Sequence, residues 1–146
     1  MRIMKQLVIA AAIFLCAGAA FAEEHNPQQY ETLLTPLVKG GTDVLGEPLA
    51  YPEGPINITT AIVTVAPGAE TGWHLHEVPL FAYILEGELT VDYGTKGKKT
   101  YRTGDSVLEA MNWPHNGTNT GRVPMRLVAV YMGGGDKANT IAVPAP

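Results

Sequence analysis

Residues 58–65 read Ile-Thr-Thr-Ala-Ile-Val-Thr-Val, a β-branched run suited to a pleated, half-buried surface, and Pro67-Gly68 stops it. Strand-like stretches follow at 72–76, 80–85, 88–93, 99–102, 106–110, 115–120 and 125–132. Glu86-Gly87, Tyr93-Gly94, Thr103-Gly104-Asp105 and Asn116-Gly117 separate them with turn chemistry. Seven or eight short strands at close spacing, without an amphipathic helix, predict an all-β sandwich or barrel. Upstream, apolar stretches at 33–38 and 47–51 are broken by Gly40-Gly41, Gly46, Pro36, Pro48 and Pro52. They predict an irregular hairpin or edge strands, because proline is tolerated at sheet edges. A short helix is expected over 28–34. Gly133-Gly134-Gly135 ends the last strand, and 136–146 has no assignable pattern.

The first residues stand apart from this pattern. Arg2 and Lys5 precede an apolar run from Leu7 to Ala20 that closes on Ala20-Phe21-Ala22, which reads as an export signal cut after Ala22. The run falls short of the roughly 20 residues that span a bilayer. Cys16 raises a lipoprotein alternative, against which stands the bulky Leu15 before it. The expected division is a signal peptide at 1–22, an arm with edge strands at 23–57, a barrel core at 58–132 and a tail at 133–146. Loss of Arg2 and Lys5 makes the formal charge of −4 more negative by two. An acidic domain argues against nucleic acid, or an anionic membrane surface after cleavage, as partner. Cys16 is the only cysteine, so the mature chain holds no disulfide and no thiolate ligand, and any metal is held by nitrogen and oxygen. The localisation expected is periplasmic or secreted. The sequons at Asn57 and Asn116 read as chance, and His25 as a solvated tail residue.

The candidate chemistry lies in the other three histidines. His74 and His76 sit in Thr-Gly-Trp-His-Leu-His, and an i, i+2 spacing on an extended strand puts both rings on one face. His115 comes 39 residues later, in Asn-Trp-Pro-His, far enough for the chain to leave and return on a neighbouring strand. Together they predict a site for one divalent transition-metal ion. Imidazole-rich sites suit Fe, Cu, Zn, Ni or Mn better than Mg or Ca, and the ligands alone do not choose among them.

These residues resemble the small single-domain cupins, which are double-stranded β-helix (jelly-roll) barrels that usually hold one metal in the mouth. In that family a glycine, five residues and His-x-His are followed by a glutamate and, seven residues after it, a glycine; Gly68, His74, His76 and Gly87 fall in register. In a second motif a glycine precedes a histidine by eleven residues and an asparagine follows it by four, matched by Gly104, His115 and Asn119. The resemblance covers about 58–132. It implies a homodimer, formed by sheet edges or by exchange of an N-terminal segment such as 32–51. Two departures stand out. Leu80 occupies the place of the metal-binding glutamate, and Ala110 and Asn112 stand where proline and glycine are common.

Without that glutamate, three neutral imidazoles leave the ion's charge undiminished and open coordination positions to water, oxygen or an anionic chelating molecule. Leu80 would wall the open side. Glu77 is a rival fourth ligand, but it points away from His76 on an extended strand unless the chain turns there. Met111 and Trp113, with Trp73, read as packing residues near the mouth that could line a pocket. Asn119 reads as a turn or supporting hydrogen bonder, Asp105 as turn chemistry, and Lys96, Lys98 and Lys99 as a solvated hairpin tip. Two functions follow. One, which the resemblance to cupins with three histidines implies, is a metal-dependent, dioxygenase-like enzyme that acts on a small anionic substrate. The other is a non-catalytic protein that holds a metal or small ligand for sensing, storage or delivery.

Overall fold

A computed structural model describes residues 29–146; the expected signal at 1–22 and His25 lie outside the described residues. Of these, 29–34 are described by themselves and Thr35–Pro146 as one unit. Of the helix expected over 28–34, the described part holds a 3-10 turn, Tyr30–Leu33.

Thr35–Pro146 contains nine strands: β1 (Ile56–Val65), β2 (His74–Leu75), β3 (Leu80–Glu86), β4 (Glu88–Asp92), β5 (Lys98–Arg102), β6 (Ser106–Leu108), β7 (Asn116–Thr118), β8 (Met125–Gly134) and β9 (Ile141–Ala142). One sheet has the order β1-β8-β3-β6, a second β5-β4-β7, and β2 pairs with β9. All pairs are antiparallel. Period-two alternation decides what each strand buries. Leu80, Ala82 and Ile84 of β3, Leu89 and Val91 of β4, and Met125, Leu127 and Ala129 of β8 meet in one core with Tyr93, Tyr101 and Val107. The fold is the expected all-β jelly-roll barrel.

Local chemistry explains the turns that hold the barrel in register. Gly87, at φ 81°, joins β3 to β4, and a Cβ there would lie 3.0 Å from Met125 Cα and 3.1 Å from Pro124 O. Only glycine fits. Asn112, where the family commonly has glycine, takes φ 57°. Asparagine is among the few side chains that tolerate this left-handed conformation, so the turn before His115 survives the substitution. Asn119 is buried, donates from Nδ2 to Val65 O and Val123 O (both 2.8 Å), and accepts from Gly121 N at 2.9 Å. It ties the end of β1 to the segment leading into β8.

Three regions add detail to the expectation. No extended strand forms at 33–38 or 47–51; of the irregular hairpin or edge strands expected, a short hairpin is present, an antiparallel bridge between Thr42 and Pro48 flanked by Asp43 N to Glu47 O at 2.8 Å and Leu49 N to Gly41 O at 2.9 Å. Proline supplies no N–H to extend the ladder. Asp43 organises the loop instead, accepting from Leu45 N and Glu47 N on Oδ1 and from Met111 N on Oδ2. The lysines of the β4–β5 hairpin are exposed at its tip, as expected, and make local contacts there: Lys98 pairs with Asp92 at 2.8 Å, Lys99 donates to Val44 O, and Lys96 lies 5.3 Å over the Trp113 ring. The tail, in which no element was expected, contributes β9.

Candidate metal centre

His74 and His115 face each other across a bridge with hydrogen bonds in both directions, His74 N to His115 O at 3.0 Å and His115 N to His74 O at 2.9 Å. Side chains so opposed share a face. His76, two residues on, shares it too. One ring nitrogen from each of the three residues lies within 4.8 Å of the others. Ring centroids are 4.5–5.0 Å apart.

The other ring nitrogen of each is already engaged. His74 Nδ1 meets Gly72 O at 2.7 Å, His76 Nδ1 meets Asn139 O at 2.7 Å and His115 Nδ1 meets Trp113 O at 2.8 Å. A carbonyl oxygen only accepts, so each Nδ1 carries the proton and each Nε2 keeps a free lone pair. Burial lowers the pKa of all three rings, that of His76 to about 3, although the carbonyl contacts oppose the shift. Neutral, tautomerically set imidazoles on three sides of one point are the donor set a divalent transition metal requires. The residues therefore fit such an ion.

These rings border a cavity of about 350 Å³. Its lining includes Leu80, Trp73, Tyr131 and Glu109. Met111 and Trp113 are not part of it. The Met111 N–H is bound to Asp43, and the Trp113 indole donates to Tyr93 O at 3.0 Å while its ring packs against the core. Glu77 is also directed elsewhere, with Oε1 3.4 Å from Lys137 Nζ and Oε2 accepting from Ala138 N at 3.1 Å. It does not join the histidine group.

Sequence reasoning missed three contributors. Glu109 is buried; its Oε1 accepts from Tyr93 Oη and from Ala110 N, both at 2.8 Å, and Tyr93 Oη lies 3.1 Å from Tyr101 Oη. Burial pushes the Glu109 carboxyl up, and Tyr93 far above the ordinary phenol range. The signal was alternation, since Val107 and Glu109 share the inward face, as do Leu89, Val91 and Tyr93. The third contributor is the tail: Asn139 O fixes His76, and Ala142 pairs with His74.

The cupin-domain family profile matches residues 61–131, the stretch that carries all three histidines. The protein carries a cupin domain. Solved structures agree in fold. The chain superposes on oxalate decarboxylase from Lactobacillus farciminis in its formate complex with TM-score 0.51 and 21% identity, over 59% of this chain and 26% of that one. For an oxalate oxidase the values are 0.51 and 21%, over 60% and 46%. For the polyketide cyclase RemF from Streptomyces resistomycificus they are 0.52 and 19%, over 61% and 62%. The chain thus matches less than two thirds of each, and the similarity is one of fold. No curated protein matches the sequence. The cupin fold and the three-histidine group together support a divalent metal ion as cofactor.

Proposed function

We propose that this protein is an exported cupin that holds one divalent transition-metal ion on His74, His76 and His115 and acts on a small anionic molecule bound there, oxidising or rearranging it. The convergence of three neutral imidazoles at the edge of an apolar cavity, with Leu80 in place of a fourth ligand, carries this reading. A bound ion supplies Lewis acidity and, where it is iron or copper, redox chemistry. The chain's own residues do the rest. Gly72, Asn139 and Trp113 orient the rings through their carbonyls, and Leu80, Ala82 and Val91 exclude water from the ligand's body. Similar folds in proteins named for oxalate decarboxylation, oxalate oxidation and polyketide cyclisation are compatible with small oxygenated substrates.

Turnover decides between this reading and a binding role. A non-catalytic ligand carrier is favoured by one observation: all the histidines lining the cavity belong to the metal group, so none is left over as a base. Metal-loaded protein should consume oxygen or substrate with some member of a panel of small carboxylates, enolates and catecholates, and His74→Ala/His76→Ala should abolish that reaction. Stoichiometric metal binding without turnover across the panel would leave the carrier. Export is proposed from the leader, and the protein recovered from the periplasm or medium should begin at Glu23 by N-terminal sequencing.

A further inference from the structure

Position 80 and position 109 face each other. Phe81 pairs with Leu108 between β3 and β6, and one step further Glu109 N donates to Leu80 O at 2.9 Å. Residues directly opposed in an antiparallel pair present side chains on the same face, with Cβ atoms about 5 Å apart. Both line the cavity. The carboxylate absent at Leu80 therefore has a counterpart directly across the strand pair, outside the group of three ligating nitrogens.

Its two oxygens are unequally used. Oε1 takes two hydrogen bonds, from Tyr93 Oη and Ala110 N, which lock the side chain. Oε2 has no hydrogen-bond partner among the described residues, yet it is not a sealed polar atom, since none of the buried side-chain oxygens lacks a partner. Glu109 lines the cavity, and with Oε1 spent on Tyr93 and Ala110 we assign Oε2 as the oxygen that faces it. Ala82, Leu89, Val91, Leu127 and Ala129 make an apolar lining in the same cavity. A fixed carboxyl with one free oxygen in such a wall selects a ligand that brings a matching polar group.

We propose that Glu109 is the specificity-determining residue of this cavity: its Oε2 hydrogen-bonds a hydroxyl on a compact, mostly apolar carboxylic acid whose carboxylate is held at the histidines. A hydroxyl both donates and accepts, so it satisfies Glu109 whether the carboxyl is ionised or neutral. The carboxylate end rests on the metal reading above; the hydroxyl end does not.

The test compares benzoate with 3- and 4-hydroxybenzoate by titration calorimetry, on metal-loaded and metal-free protein. Wild type should bind one hydroxylated isomer about tenfold tighter than benzoate, the worth of one hydrogen bond to a carboxyl. Glu109→Met should erase that preference while leaving metal content unchanged and benzoate affinity within about threefold. Infrared difference spectra of wild type supply a readout that needs no variant to fold: the hydroxylated probe shifts a buried carboxyl band that benzoate leaves in place. Equal binding of all three probes, no binding at millimolar concentration, a preference retained in Glu109→Met, an unmoved carboxyl band, or loss of metal in Glu109→Met would each overturn the proposal. If wild type takes up no metal while the hydroxyl preference persists, the metal reading falls and the role of Glu109 stands.

Discussion

His76 is the residue at which folding and metal binding meet. Burial pulls its pKa from 6.5 to about 3, so between those values the unfolded chain binds a proton that the folded chain refuses. Stability contributed by the neutral ring is full above pH 6.5 and is lost as pH falls toward 3. The urea midpoint of metal-free protein should fall steadily across that window, and His76→Gln should flatten the slope; an unchanged slope would show that His76 is not the buried neutral group described. The histidines were legible in the sequence because glycine register and i, i+2 spacing place them without knowledge of the fold. Glu109 was not read, since its role depends on which face of the strand it occupies and on Tyr93, sixteen residues away. The lysine partners were hidden for a similar reason: Val44 and Trp113 reach the hairpin only through the tertiary fold.

The strands of the barrel were legible where turn residues bracket alternating side chains, as in β3, Gly87 and β4. β9 was not, because a two-residue strand carries no period of its own and forms only against β2. Yet this segment brings Asn139 O to His76 Nδ1, and Thr140 Oγ1 lies 3.3 Å from the same nitrogen. Partners behind a ligating histidine are worth about 10–100-fold in metal affinity. Deleting residues 139–146 should therefore weaken metal affinity by about that factor in a chelator competition while circular dichroism still reports the barrel. Unaltered affinity would reduce the segment to a passive cover. The 33–51 region, expected as an irregular hairpin or edge strands, forms only a short hairpin about the Thr42–Pro48 bridge: prolines deny a longer ladder its donors, and Asp43 supplies the side-chain acceptor that builds the turn.

At the scale of the molecule, β1 closes the larger sheet with no strand on its outer side among the described residues, and its outward positions Ile56, Ile58 and Ile62 are 84%, 59% and 51% exposed. An apolar row on a free edge strand is a surface for pairing. The homodimer implied by the family resemblance is proposed to use it, with a second copy of the chain as occupant. Sedimentation should give a dimer at micromolar concentration and a monomer for Ile58→Lys/Ile62→Lys; a monomeric wild type would contradict this. The whole account depends on the three histidines acting together on one ion. Elemental analysis of the protein, purified without a histidine tag, tests that most directly beside His74→Ala/His76→Ala. About one equivalent of a divalent transition metal in wild type, lost in the variant, is the predicted result. A wild type that stays empty even after reconstitution, or a variant that keeps its metal, would contradict it.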